Sequence, residues 1–444
     1  MNTRNGKRLA MRAIAVVLLA GANLWAATTI ATNTPAEALT RARIAQLPPA
    51  QRGAWLKYLV RSEKQRQVDK DTFQAELKSS GVTTPIEPPH GFAARGMPLD
   101  RDPSWYTGAE ARRVADIVVS FQTPAGGWGK NMDMSKEVRR PGERYGPNNL
   151  SRFLTPSDFD EPKEPEWNYI GTIDNDATIT QIRFLAKVTS AVGVKDDAAY
   201  RSAYRAAFLR GINYLLEAQF PNGGWPQVWP LEGGYHDAIT YNDSAMTQVM
   251  DIMRHVADGK DEFGFVPKEV RARAASSFER GMRCILATQV VSGGKLTAWP
   301  QQDDALTLKP VSGRNYEMPS ESSGESADLL IMLMNDLPHP TAKEQQSIRA
   351  AAAWFKKTAI YGQSYGRTAD GRGLTPTPGA GPIWARFYQI DTDTPIFGDR
   401  DKSIHDNLSE LSRERRNGYS WFGAAPQRAL DRYEKWAQEH PESK

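Results

Sequence analysis

The chain is poor in the residues that carry several common chemistries. A single cysteine in 444 residues, Cys284, excludes an intrachain disulfide and a thiolate zinc site. It falls in the helical stretch RARAASSFERGMRCILATQ and reads as a small buried side chain. The six histidines, His90, His236, His255, His339, His405 and His440, show no ligand spacing. HExxH, a Gly-rich phosphate loop between strand and helix, and a heptad seam are all missing, so zinc chemistry loses its support. Charge of one sign is also scarce. With 56 Lys and Arg against 52 Asp and Glu, the formal net charge is +4, which does not indicate a nucleic-acid partner. Any positive site must come from local placement. Past the N-terminus there is no long apolar run. Arg4, Lys7, Arg8 and Arg12 precede AIAVVLLAGANLWAA, which is interrupted by Gly21 and Asn23 and followed by small residues. Residues 1–32 therefore read as a removed export signal. The expected product is exported, periplasmic or secreted, and has no membrane contact once the signal is removed.

What the chain does contain is repetition. Residues 33–97 read as a polar helical extension closed by the linker TTPIEPPHGF. From residue 98 to about 430, helical segments alternate with Gly-rich turns. EARRVADIVVSFQ runs into TPAGGWGKN, RAAFLRGINYLLEAQ into FPNGGWPQVWP, and ARAASSFERGMRCILATQ into VVSGGKLTAWPQ. Each is an amphipathic helix, a Gln, a Gly-Gly turn and a Trp. The Gln residues (122, 219 and 289) lie 97 and 70 positions apart, and the glycines can end each helix at positive φ. A second helix type alternates with the first. NDATITQIRFLAKV begins at Asn175, NDSAMTQVMDIMRHV begins 67 residues later at Asn242, and GESADLLIMLMNDL from Gly324 is a looser copy. Helix pairs repeating in this way predict an all-α fold, an α/α toroid with long irregular loops and polar residues gathered at one helix end. The plain alternative is that these Asp and Asn residues only cap their helices. Residues 431–444 read as a C-terminal tail.

Three groups carry candidate chemistry. Asp174 and Asn175 open one inner helix, while Asp237, Asn242 and Asp243 precede its repeat partner. Oxygen ligands from two helix ends suit a hard cation such as Ca²⁺. Arg314 lies in SGRNYEMPSESSGES beside Tyr316 and Glu317, where a lone loop Arg is ordinarily solvated or paired. ARFYQIDTDTPIFGDRD brings Arg386 and Arg400, with Asp391 and Asp399 as residues that could orient them. SRERRNGYSW adds Arg413, Arg415, Arg416, Tyr419 and Trp421. Arginines among aromatics suit a repeating anionic ligand, because guanidinium grips carboxylate bidentately and rings stack on sugars.

These motifs together resemble polysaccharide lyase family 10, the pectate lyases built on an (α/α)₃ toroid. The resemblance is carried by GGWxKN at 126–131, TIDN at 172–175, AQFPNGGWPQ at 218–227, AITYNDSAM at 238–246, RxYExPS at 314–320, and the two arginine-rich stretches above. It covers residues 98 to about 425. It implies Ca²⁺-assisted β-elimination of polygalacturonate by a protein expected to be monomeric. The C5 proton of a galacturonosyl unit is removed and the 4-linked oxygen leaves, a step eased by neutralising the adjacent carboxylate. Carried over by motif, Arg314 is similar to the family's catalytic base. Asp174, Asn175 and Asp243 are similar to its calcium ligands. Asp174, Asn175, Lys130, Arg386, Arg400 and Arg415 are similar to its substrate contacts. Asp237 competes with Asp243 for the metal, and Arg416 with Arg415 for the clamp.

An arginine base implies an activity optimum well above neutral, since guanidinium is ordinarily protonated; crowding by other cations would help to discharge it. Two other classes stay open on the residues themselves. A glycoside hydrolase could pair Asp174 or Asp176 with Asp243 or Glu325. A non-catalytic uronan-binding protein would use the arginines and aromatics for capture alone.

Overall fold

The computed structural model describes residues 29–91, 96–191 and 198–442, so most of the expected export signal, residues 1–28, lies outside the described residues. In chain order the α-helices are α1 (Arg41–Ile44), α2 (Pro49–Ser80), α3 (Ala109–Ser120), α4 (Ile179–Ala191), α5 (Ala198–Ala218), α6 (Ala245–Asp258), α7 (Lys268–Ala287), α8 (Ser323–Asp336), α9 (Ala342–Thr358), α10 (Arg413–Gly418) and α11 (Ala425–Glu439). No described helix is long and apolar enough to cross a membrane.

Sequence sets the helix limits locally. In α6, Met246, Val249, Met250, Ile252, Met253 and Val256 recur at helical spacing and are buried, and Gly259 ends the helix at φ +59°. Helix α9 opens with a capping box between Thr341 and Glu344. The long α2 starts with Pro49 in its first turn and stops at Gly81, φ +71°. Helices α4, α6 and α8 pack in succession against one another. The pairs α4–α5, α6–α7 and α8–α9 are in contact, and α3 packs on α4 and α5. Helix α11 crosses the expected boundary at residue 430 and packs on α8 and α9, so the C-terminal stretch is largely part of the folded body.

The three Gln repeats have one physical job. Gln122 Nε2 donates to the carbonyls of Gly126 (2.8 Å) and Ala207 (2.9 Å). Gln219 does the same to Gly223 and Ser277, both at 2.9 Å. Gln289 reaches Thr297 (2.9 Å) and Ser347 (3.0 Å). Each buried amide thus ties its own turn to the next outer helix. The Trp that follows is fully buried and donates its indole N–H back to its own helix: Trp128 to Val118, Trp225 to Leu215 and Trp299 to Ile285. The glycines are required where that next helix comes close. Gly126 sits at φ +104° with the Arg210 carbonyl 2.6 Å from where a Cβ would lie, and a Cβ on Gly223 would collide with the Arg280 carbonyl. The third turn, at Gly293 and Gly294, is an open hairpin.

The fold is mostly helical, but it carries more β structure than the all-α expectation allowed. The hairpin Gln363–Thr368 with Gly371–Pro376 holds a six-residue antiparallel register. Short ladders of two or three strands elsewhere pin the loops that surround the helix ends. Strand Thr29–Thr32 pairs with Ser403–His405, which in turn pairs with Phe397–Gly398.

The polar starts of α4 and α6 are matching one-turn 3₁₀ segments, Asp174–Asp176 and Asn242–Ser244. Their middle residues, Asn175 (φ +51°) and Asp243 (φ +49°), are left-handed. The turns therefore superpose in role at a 68-residue offset, pairing Asn175 with Asp243, whereas the sequence alignment paired Asn175 with Asn242. Asn and Asp are the non-Gly residues that best tolerate that conformation. The N-cap of α6 is Ser244, which makes no side-chain cap bond, so capping does not account for Asp243.

Candidate active site

The two left-handed turns form one side of a cleft of about 730 Å³ that Asp174, Asn175, Asn242 and Asp243 line together. Asp174 is buried and Lys130 Nζ lies 2.5 Å from its Oδ2. That ammonium also sits 3.3 Å from the centre of the Tyr169 ring. Burial opposes the charge on Asp174, but Lys130 first and Arg314 after it hold its carboxyl below the usual range. Asp243 goes the other way, up to about 6, through burial and then the charge of Asp174. The expected calcium residues Asp174, Asn175 and Asp243 therefore share one wall. Asp237 faces elsewhere: its carboxylate accepts from the backbone N–H of Gly233 (2.8 Å) and Leu39 (3.3 Å).

Asp174 Oδ1 and Gln227 Oε1 are buried without a hydrogen-bond partner among the described residues, and both residues line the cleft. Orphaned oxygens beside two mutually repelling carboxylates are a donor set that a hard cation satisfies. No cluster of three or more His, Cys, Asp or Glu stands ready for a metal among the described residues, so amide oxygens have to complete any shell, in keeping with Asn175 and Gln227.

Arg314 also lines the cleft, on the loop that leads into α8. Its Nε donates to Glu317 Oε2 at 3.1 Å and its Nη2 to Oε1 at 2.5 Å, while its backbone N–H donates to the same carboxylate at 2.8 Å. Tyr419 Oη adds a bond to Glu317 Oε1 at 2.7 Å. The guanidinium fork is thus held along one edge, with Nη1 on the other. Burial works against charge on both partners, yet their pairing wins: Glu317 is held down to about 2, and Arg314 is pushed well above its ordinary value. The expected discharge of Arg314 by neighbouring cations is outweighed here by an anion three residues away.

The arginines of the later stretches separate by position. Arg415 is buried and lines the cleft, 4.1 Å from the centre of the Tyr316 ring. Its Nε and Nη1 are buried and have no hydrogen-bond partner among the described residues. Arg416 instead lines a separate cavity with Leu374 and Phe422. Arg400 lines the cleft between the rings of Phe153 (4.4 Å) and Tyr316 (5.4 Å), its Nε on Glu414 at 2.7 Å. Arg386, expected as a clamp, lies behind Tyr419 at 4.7 Å from the ring centre and braces Glu325 (2.9 Å) and Asn242 (3.2 Å). The residues that orient these arginines are Glu414 and Glu325 rather than Asp399 or Asp391. Asp399 accepts from Ser412 and the Arg400 backbone, and Asp391 meets Gly293 and Ser292. Among the candidate hydrolase carboxylates, Asp176 accepts from Gln248 (2.6 Å) and Glu325 is taken by Arg386 and Ser322, which leaves Asp174 and Asp243.

Sequence reasoning missed the loop at 149–160, which closes the cleft with Arg152, Phe153, Asp158 and Asp160. It has no period and no repeat, so no pattern marked it. The pairing roles of Glu317 and Glu414 were also missed; only the proximity of Glu317 to Arg314 in RNYE hinted at one of them.

Alternating helices that present a cleft of arginines, paired carboxylates and tyrosines define the scaffold and site of a polysaccharide lyase. The chain belongs to the pectic acid lyase family: residues 122–430 match that family's model. Similar solved structures include the following two. One is a family 10 polysaccharide lyase from Cellvibrio cellulosa, at 30% identity and TM-score 0.61, covering 78% of this chain and 97% of that one. The other is an Asp-to-Ala mutant of the family 10 polysaccharide lyase from the same organism in complex with trigalacturonic acid, also at 30% identity and TM-score 0.61, covering 79% of this chain and 99% of that one. Among the curated proteins compared, none matches.

Proposed function

We propose that this lyase cleaves α-1,4-linked polygalacturonate by Ca²⁺-assisted β-elimination, as an exported monomer whose alternating helices make an (α/α)₃ toroid. The observation that carries the reading is that Arg314, Arg400 and Arg415 line one cleft together with Asp174 and Asp243, cationic grips for a uronan in the same cleft as an oxygen-rich wall. The neighbour solved with trigalacturonic acid supports the choice of substrate.

Arg314 Nη1 takes the C5 proton, the C5–H electrons form the C4=C5 double bond, and the C4–O bond breaks to release the fragment on the non-reducing side, whose oxygen takes a proton from solvent to become a new reducing-end hydroxyl. Glu317 keeps the fork from rotating, so the accepting nitrogen is presented without a search. Arg415 and Arg400 grip carboxylates of the chain, and Tyr316 and Tyr419 give the sugar rings an apolar wall. Asp174, Asn175 and Asp243 would hold Ca²⁺, which supplies charge neutralisation at the reacting carboxylate. Since Glu317 favours the protonated guanidinium, turnover rises with pH and peaks well above neutral; a maximum near about pH 5 would overturn Arg314 as base.

The deciding assay is ultraviolet absorbance of unsaturated product from polygalacturonate, with and without EDTA. Elimination creates a conjugated chromophore and hydrolysis does not. The expected result is absorbance that EDTA abolishes and added Ca²⁺ restores. Reducing ends without absorbance would favour the hydrolase reading with Asp174 and Asp243, whose carboxyls are shifted in opposite directions. Product formation indifferent to EDTA would remove the metal from the proposal.

A further inference from the structure

Residues 29–43 lie outside the stretch that matches the family, yet they reach the back of the cleft. Strand Thr29–Thr32 pairs with Ser403–His405, and the Asn33 backbone N–H donates to the Lys402 carbonyl at 2.7 Å. This holds the chain beside the Arg400 turn. The Asn33 side chain is only 4% exposed. Its Nδ2 donates to the carbonyls of Asn315 (3.0 Å) and Arg314 (3.4 Å). Its Oδ1 accepts from Ser312 Oγ at 2.6 Å, and the same hydroxyl lies 2.6 Å from the Thr34 carbonyl. One buried amide therefore spans the loop on both sides of Arg314. Asn315 passes the restraint on: its Nδ2 donates to the Arg400 carbonyl at 2.7 Å, and its Oδ1 accepts from Phe159 N–H at 2.9 Å. Further along, Leu39 N–H bonds Asp237, and Arg43 Nη2 lies 2.5 Å from Asp304 Oδ2.

We infer that residues 29–34 are a strap across the outside of the cleft, which requires the export signal to be removed before Thr29 rather than after residue 32, and that Asn33 is a positioning residue for Arg314. The inference rests on the reading of Arg314 as the base. Its physical basis is that Glu317 fixes the guanidinium relative to its own loop, while Asn33, through Ser312 on one side and the Arg314 and Asn315 carbonyls on the other, ties the loop on both sides of Arg314 to the strap, in addition to the bonds Asn315 makes to Arg400 and Phe159. A loop tip free to shift by an ångström would misplace Nη1 from the C5 proton while the substrate grips stay in place.

The test compares the full chain with Asn33→Ala, Asn33→Asp and Arg314→Ala, measuring kcat and KM on polygalacturonate and calorimetric binding of trigalacturonate. Asn33→Ala is expected to lower kcat by about ten- to a hundredfold, with KM and trigalacturonate affinity within about twofold. Asn33→Asp keeps the acceptor for Ser312 but cannot donate to the two carbonyls, so it should fall with Asn33→Ala. A merely structural role would lower Tm and the folded fraction while leaving kcat per folded molecule unchanged, and that result overturns the inference. So does a loss carried by KM alone. Should the Asn33 variants fail to fold, Ser312→Ala removes one side of the restraint: reduced kcat at unchanged KM supports the strap, and unaltered kcat overturns it. Wild-type turnover in Arg314→Ala would instead sink the assignment of the base, whatever Asn33 does.

Discussion

At the scale of single residues, the site is a set of charges held by opposite charges. Arg314 was legible from its motif, because a loop Arg beside Tyr316 and Glu317 stands out in the string. What that Glu does was not legible, because a bidentate grip depends on how the turn at 314–317 closes. Removing the proposed base, Arg314→Ala, should cost between about 10² and 10⁴ in kcat, with trigalacturonate binding retained. Glu317→Gln isolates the electrostatics. Without its anion the Arg314 pKa falls, so the rising limb of the pH–rate profile should move to lower pH even as maximal kcat drops through lost orientation. A profile that keeps its limb in place would show that Glu317 does not set the charge of Arg314. The same blindness to space hid the contact of Lys130 with Asp174, 44 positions apart, and of Arg400 with Glu414.

Among the elements, the repeated Gln turns were the most legible feature, since a periodic unit writes itself into the sequence. Their function as cross-braces was not, because the second acceptor of each Gln lies 58 to 85 residues away. Gln219→Ala would strip two buried carbonyls, Gly223 and Ser277, of their donor. It would also free the Ser277 hydroxyl, which donates to Gln219 Oε1 at 2.8 Å. A destabilisation of about 2–3 kcal/mol in urea unfolding is expected. Equal stability of the variant would mean that water replaces the amide and that the repeat is not a brace. The third turn deviates for a visible reason: Gly293 and Gly294 meet no neighbouring helix, so that copy opens into a hairpin. The one-residue register error between the inner helices arose because Asn-Asp occurs in both strings, while the backbone aligns on the left-handed residue.

For the whole molecule, pH couples stability to buried acids behind the cleft. Glu232 is buried and receives the Tyr169 N–H at 3.3 Å on each oxygen, and burial pushes its carboxyl up to about 8. A raised acid pKa means that the folded state binds more protons than the unfolded chain between the ordinary carboxylate value and about 8. Stability therefore falls as pH rises through that window and levels off above it. Glu232→Gln should raise Tm relative to the parent above about pH 8 and leave it nearly unchanged near about pH 4. An equal shift at both pH values would show that Glu232 does not titrate in this window. At the alkaline optimum proposed for it, the protein would operate on the less stable side of this titration.

The sequence by itself determined the helix–turn repeats, the buried cysteine and the motif residues that line the cleft, because periodicity, capping and turn chemistry are local and are read in order. Only the tertiary structure decided which arginines face the cleft: Arg415 and Arg400 line it, while Arg386 is a brace and Arg416 lies elsewhere. Only the structure separated Asp243 from Asp237, and only it placed Asn33 against Arg314 across 281 positions. Charges and hydrogen bonds act through space over a few ångströms, and nothing in the order of residues records which distant loops will come within that range.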